Sequence, residues 1–154
     1  MPKLLTGIAS PPDVPAILSF WQKSQNASFS TAAAGMGLKD YVSKNPFMCL
    51  VAEQSGKICA TVVYGIKEHR GFIHHIALDP DYIGSGVLES LVDEAFSALR
   101  KRSCTRCHIF VHDMASNAVT KEIIEKIEWA RAAGSQIYTH DLEYPLHTDE
   151  ISTD

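Results

Sequence analysis

Ile73-His74-His75-Ile76-Ala77-Leu78, Asp79-Pro80-Asp81-Tyr82, Ile83-Gly84-Ser85-Gly86 and Val87-Leu88-Glu89-Ser90-Leu91, continuing to Leu99, is one unbroken stretch that decides the fold. Its first part completes a strand over residues 72–78. Asp79-Pro80-Asp81-Tyr82 breaks that strand, because proline lacks the N–H a ladder needs. From Val87, apolar residues at Val87, Leu88, Leu91, Val92, Ala95, Phe96 and Leu99 fall on one face of a long helix. Arg100, Lys101 and Arg102 suit its C-terminal end, where the dipole favours cations. Gly84 and Gly86 sit where this helix begins. Glycine there lets a ligand approach the backbone, and free N–H groups at a helix N-terminus attract anions. A phosphate-bearing cofactor is the natural inference. The pattern is not a dinucleotide fingerprint, since Glu89 holds the third glycine position, and no Gly-Lys-Ser/Thr makes it a P-loop.

Upstream, strands over residues 47–54 and 57–66 flank a Ser55-Gly56 turn. Residues 67–71 turn the chain into the 72–78 strand. Three adjacent strands with short connections form an antiparallel meander. Further back lie a short strand over 4–9, a cap at Asp13, a helix from Val14 to about Gln25, a loop over 26–37 and a short helix over 39–44 stopped before Pro46. Downstream, 107–112 reads as a strand. Residues 116–128 read as a helix carrying Val119, Ile123, Ile124 and Ile127, and 137–144 as a last strand. The order gives an α+β fold with one mostly antiparallel sheet and flanking helices. It is one domain over residues 1–145, followed by a polar acidic tail, 146–154.

The block from Leu50-Val51-Ala52-Glu53 through Ser55-Gly56-Lys57-Ile58, His69-Arg70-Gly71-Phe72-Ile73 and His75-Ile76-Ala77-Leu78-Asp79-Pro80-Asp81-Tyr82 to Gly84-Ser85-Gly86-Val87 resembles the GNAT family of N-acetyltransferases. The resemblance continues through Cys104, Phe110-Val111, Asn117 and Glu125-Lys126-Ile127 to Trp129, and covers roughly residues 4–142. It implies a GNAT-like fold with a splayed parallel strand pair, and acetyl-CoA as cofactor. It further implies that backbone at Ile76, Ala77 and Leu78 holds the acetyl-pantetheine arm. Ile83, Gly84, Ser85, Gly86, Val87 and Leu88 would cradle the pyrophosphate, and Asn117 would contact the cofactor. Four positions depart from the family pattern. Ile83 stands where an arginine or glutamine is usual. Leu88 stands where a nearly side-chain-free residue is usual, and its bulk could crowd the pyrophosphate. Ile124 stands where many members carry a proton-donating tyrosine. Glu128 also replaces a usual helix-ending glycine.

Direct attack of an amine on a thioester needs a base for the ammonium proton and an N–H for the developing oxyanion. The resemblance assigns the second role to backbone near Ile76. His75 and His112 are the candidate bases, since histidine titrates near neutrality. Glu68 and His69 on the turn are further options. Alternatively, His74 and His75 simply alternate across the strand.

Composition narrows the rest. The chain has 154 residues, 45% hydrophobic and 21% charged, enough for one well-packed domain. A net charge of −4 argues for no nucleic-acid partner. No apolar run approaches the ~20 residues needed to span a bilayer, and Thr6-Gly7 breaks the N-terminal run, so neither a membrane span nor a signal peptide is expected. Four cysteines without an export signal read as reduced thiols in a cytoplasmic protein. Cys104-Thr105-Arg106-Cys107-His108 matches a haem-attachment spacing, but the missing export signal and its entry into a strand stand against haem. No second ligand pair supports zinc, so no metal is expected. Arg100-Lys101-Arg102 is a solvated helix end or an aid to the nucleotide phosphate. Trp21 is core or lines an acceptor pocket. The resulting expectation is an N-acetyltransferase acting on a small-molecule or peptide amine, possible as a homodimer. The alternative is a GNAT-fold binding or regulatory module without the reaction.

Overall fold

The computed structural model describes residues 3–23, 37–109, 118–127 and 129. Its elements are β1 (Leu4–Ile8), α1 (Val14–Lys23), α2 (Leu38–Lys44), β2 (Cys49–Gln54), β3 (Lys57–Lys67), β4 (Arg70–Leu78), α3 (Val87–Lys101), β5 (Arg106–Ile109) and α4 (Ala118–Lys126). Short 3₁₀ turns at Pro11–Asp13 and Pro80–Tyr82 follow the prolines that end regular structure. The expected 26–37 loop apart from Gly37, the end of the 107–112 strand, the 137–144 strand and the 146–154 tail lie outside the described residues.

The five strands form one sheet in sequential order, β1-β2-β3-β4-β5. β1 to β4 pair antiparallel, and β4 pairs parallel with β5 from Arg70↔Arg106 to Ile73↔Ile109. An antiparallel hairpin needs only a tight turn, whereas a parallel return needs a crossover, which α3 supplies. This is the α+β arrangement expected from the sequence.

Helices cover both faces. On one, Val87, Leu88, Leu91, Val92, Ala95 and Leu99 of α3, with Val119 and Ile123 of α4, pack on Val62, Tyr64, Ile73, Ile76 and Leu78. On the other, Ile17 and Trp21 of α1 and Leu38 and Val42 of α2 pack on Cys49, Val63 and Ala77. Trp21 is therefore core, 1% exposed, and its Nε1 donates to Thr61 Oγ1 at 2.8 Å. The helical stripe of α3 accounts for its burial, and Gly71 makes room for it. A Cβ on Gly71 would lie 2.5 Å from Leu99 Cδ1.

Several boundaries differ from the sequence reading. Phe47 is not in β2; its φ of 80° places it in the left-handed region, in the turn before the strand. The β3–β4 connection is not five residues but two. Lys67 and Arg70 are paired, and Glu68 and His69 take φ of 52° and 64°. Positive φ at both central residues is the hairpin geometry that matches strand twist.

Candidate functional site

The alternative reading, in which His74 and His75 alternate across the strand, does not hold. The β3–β4 register jumps from Val63↔His75 to Tyr64↔Ile73, leaving His74 as the extra residue of a β-bulge. A bulge turns two consecutive side chains to the same face. The His75 ring stacks on Trp21 of α1, centroids 5.6 Å apart. The His74 ring meets Tyr41 of α2 edge-on at 6.0 Å and stacks with Phe72 at 6.4 Å. Both imidazoles thus lie on the α1–α2 face. Gly65 on β3 permits this approach, since a Cβ there would lie 2.6 Å from His74 Nε2 and 2.7 Å from the Tyr41 hydroxyl. Tyr41 in turn donates its hydroxyl hydrogen to the Tyr64 carbonyl.

Burial governs the protonation of these rings. Loss of hydration, then the neighbouring His74, lowers the His75 pKa to about 4. Desolvation lowers that of His74 as well. His75 is therefore a neutral imidazole at pH 7.

Past the bulge, Ile76, Ala77 and Leu78 pair with Val62, Thr61 and Ala60 of β3. The chain then enters the turn that the sequence singled out. The Asp79 carboxylate accepts the Asp81 N–H at 3.0 Å, closing the Pro80–Tyr82 turn. The Ile83 and Ser85 N–H groups bond back to Pro80 and Tyr82 carbonyls. Ser85 Oγ donates to the Tyr82 carbonyl at 2.6 Å and accepts from the Val87 N–H at 3.3 Å. Gly84 and Gly86 take φ of 83° and 86°, a region closed to most L-residues, and the space where a Cβ would sit is open at both. Gly86 is the N-cap of the 15-residue α3 and makes no side-chain cap bond. The first N–H groups of a helix have no carbonyl partner within it. Ile83 projects outward, 45% exposed.

Leu88 is 0% exposed and belongs to the core under α3. Helical periodicity places it on the same stripe as Leu91, Val92 and Ala95.

Sequence reasoning missed Glu122 of α4. Its carboxylate accepts the Gly84 N–H at 3.0 Å, and the residue is only 7% exposed. Its Oε2 is buried and has no hydrogen-bond partner among the described residues. Lys126 Nζ lies 3.7 Å from Oε1. The available signal was spacing. Glu122 falls three residues after Val119, next to Ile123, so it lies on the buried stripe and not on the solvated side of α4.

The remaining candidates separate. His112 and Asn117 lie outside the described residues, and nothing places them against His75 or the turn. Ile124 is half-buried on α4. Arg100, Lys101 and Arg102 are exposed, with the Arg100 guanidinium 6.0 Å from the Phe96 ring centre. Cys104 is buried, and burial pushes the Cys107 thiol up to about 11. Such a thiol is unreactive at neutral pH. Among the described residues, no helix is long and apolar enough to cross a membrane.

The chain is similar to curated acetyltransferases over 94 residues. It is 29% identical to one from Pectobacterium atrosepticum and 27% to one from Sodalis glossinidius, in each case over 61% of this chain. The match spans 65% of the length of those relatives, just under two thirds. Among solved structures, the fold is similar to a ribosomal-protein-alanine N-acetyltransferase from Brucella melitensis biovar Abortus 2308, with a TM-score of 0.68, 14% identity, and 90% of this chain and 100% of that one covered. It is also similar to a GNAT family acetyltransferase from Brucella melitensis in complex with acetyl-CoA, with a TM-score of 0.60, 17% identity, and 71% and 77% covered. The Acetyltransferase (GNAT) family model matches residues 14–137, so the chain belongs to that family.

Proposed function

We propose that the protein transfers the acetyl group of acetyl-CoA to an amine, either a small molecule or a peptide. The observation that carries this reading is the turn between β4 and α3. Two left-handed glycines with open space above them lead directly into the N-terminus of a 15-residue helix. Such backbone suits a diphosphate, which needs close approach and N–H donors instead of side chains. The burial of Leu88 in the core under α3 supports a turn open to the group. Family membership supports the same reading.

Ile83, Gly84, Ser85, Gly86, Val87 and Leu88 would hold the pyrophosphate. Backbone at Ile76, Ala77 and Leu78 would hold the pantetheine arm, with Asn117 beside it. When bound, acetyl-CoA supplies a thioester, an acyl donor reactive toward a neutral amine. The chain's own residues must orient the amine, take its proton and meet the negative charge developing on the carbonyl oxygen. Backbone N–H near Ile76 is the proposed donor to that oxygen. His75, neutral at pH 7, would accept a hydrogen bond from the amine and so orient it. A pKa of about 4 makes it too weak a base to retain an ammonium proton. His112 is the proposed acceptor of that proton.

The test is release of free thiol from acetyl-CoA in the presence of a panel of polyamines, amino acids and peptide amines. Transfer to at least one amine, above thioester hydrolysis, is expected. The second reading is a binding module without the reaction. It is favoured by Ile124, which cannot protonate a leaving thiolate, and by the Glu122 carboxylate on the Gly84 N–H. Tight acetyl-CoA binding with no transfer to any amine supports that second reading.

A further inference from the structure

We propose that Glu122 is an internal anion seated at the cofactor turn, where it competes with the bound diphosphate and sets how tightly the cofactor is held. The inference rests on the reading of that turn as the acetyl-CoA cradle.

Four observations converge on this carboxylate. First, it is inside the protein: Glu122 is 7% exposed and lies beside Val119 and Ile123, both 0% exposed. Second, one oxygen takes the Gly84 N–H at 3.0 Å, a donor that belongs to the turn itself. Third, the other oxygen is buried and has no hydrogen-bond partner among the described residues. A buried acceptor left unpaired is costly, and a carboxylate more so, which argues against a purely structural bond. Fourth, its counter-charge is weak. Lys126 Nζ is 3.7 Å away and its side chain is 40% exposed, so water screens the pair. At the adjacent family position, Ile83 brings no cation either.

A carboxylate hydrogen-bonded to a backbone N–H at a glycine turn has the geometry and charge of one phosphate oxygen. With the cofactor bound, two consequences follow. The Gly84 N–H is unavailable to the diphosphate while Glu122 holds it. The carboxylate charge also repels the diphosphate. Removing that charge while keeping the shape should therefore tighten binding.

Glu122→Gln is nearly isosteric, and its amide oxygen still accepts the Gly84 N–H, so the turn keeps its support. Acetyl-CoA, ADP and acetyl-pantetheine are titrated calorimetrically into the wild type, Glu122→Gln and Lys126→Ala. Glu122→Gln should bind acetyl-CoA and ADP about tenfold more tightly, with no gain for acetyl-pantetheine, which lacks the diphosphate. Lys126→Ala, at an exposed position, leaves the carboxylate uncompensated and should weaken acetyl-CoA binding about threefold. Wild-type affinity for acetyl-CoA in both variants overturns the role of Glu122 and leaves the cradle reading standing. A gain shared equally by acetyl-pantetheine overturns it too, because the effect is then not on the diphosphate. Absence of acetyl-CoA binding in every form overturns the cradle reading together with the inference.

Discussion

The imidazole of His75 stacks on the indole of Trp21 with 5.6 Å between ring centroids, joining the β4 bulge to α1. The bulge places it there, and burial under α1 holds it neutral. Its pKa falls from the ordinary 6.5 to about 4 on folding. Between those values the unfolded chain binds a proton that the folded chain does not. Stability is therefore whole above about pH 6.5 and is lost as pH falls toward 4. His74, also lowered, adds in the same direction. The urea midpoint should fall between pH 7.5 and pH 5. His75→Phe should show a shallower fall, and an unchanged slope in that variant contradicts the assignment.

Trp21 also donates to Thr61, both deep in the core. Trp21→Phe keeps the apolar contact with the sheet and removes the donor. Deleting one partner of a buried pair costs about 1–3 kcal/mol, whereas removing both costs less. Trp21→Phe should destabilise by that amount, and the double variant with Thr61→Val should recover part of it. Strict additivity in chemical denaturation would show that the two side chains are uncoupled.

Gly71 and Leu99 are complementary across the β4–α3 interface. Gly71→Ala drives a methyl group against Leu99, and overpacking of this kind costs about 1–3 kcal/mol. Shortening the opposing side chain with Leu99→Val relieves the clash. The double variant should be more stable than the sum of the two single effects implies.

The Glu68–His69 turn takes left-handed geometry with two residues that do not favour it. Each left-handed L-residue costs roughly 1 kcal/mol. Glu68→Asn with His69→Gly places the usual hairpin pair there and should raise the melting temperature by about 2–4 °C. A lowered melting temperature would show that Glu68 or His69 makes a compensating contact.

Period and punctuation carried most of this architecture. Val87, Leu91, Val92, Ala95 and Leu99 spell α3 unaided, and the Ser55-Gly56 turn announces its hairpin. Features that depend on partners distant in sequence were not legible. The bulge at His74 exists only in the pairing with Val63 and Tyr64, so alternation along β4 could not reveal it. Leu88 departs from a family pattern at the turn, and its own helix places it in the core. Glu122 lies 38 residues from Gly84. Nothing local marks it except a charge on an otherwise apolar stripe. The turn itself was legible, since two glycines before an amphipathic helix constrain both backbone and chemistry.

Whether this glycine turn holds a diphosphate is tested most directly by calorimetric titration of the purified protein with acetyl-CoA. ADP and desulfo-CoA serve as companions. Binding of all three, with acetyl-CoA near micromolar affinity or about 8 kcal/mol, is the predicted result. No heat of binding with acetyl-CoA at millimolar concentration would contradict it.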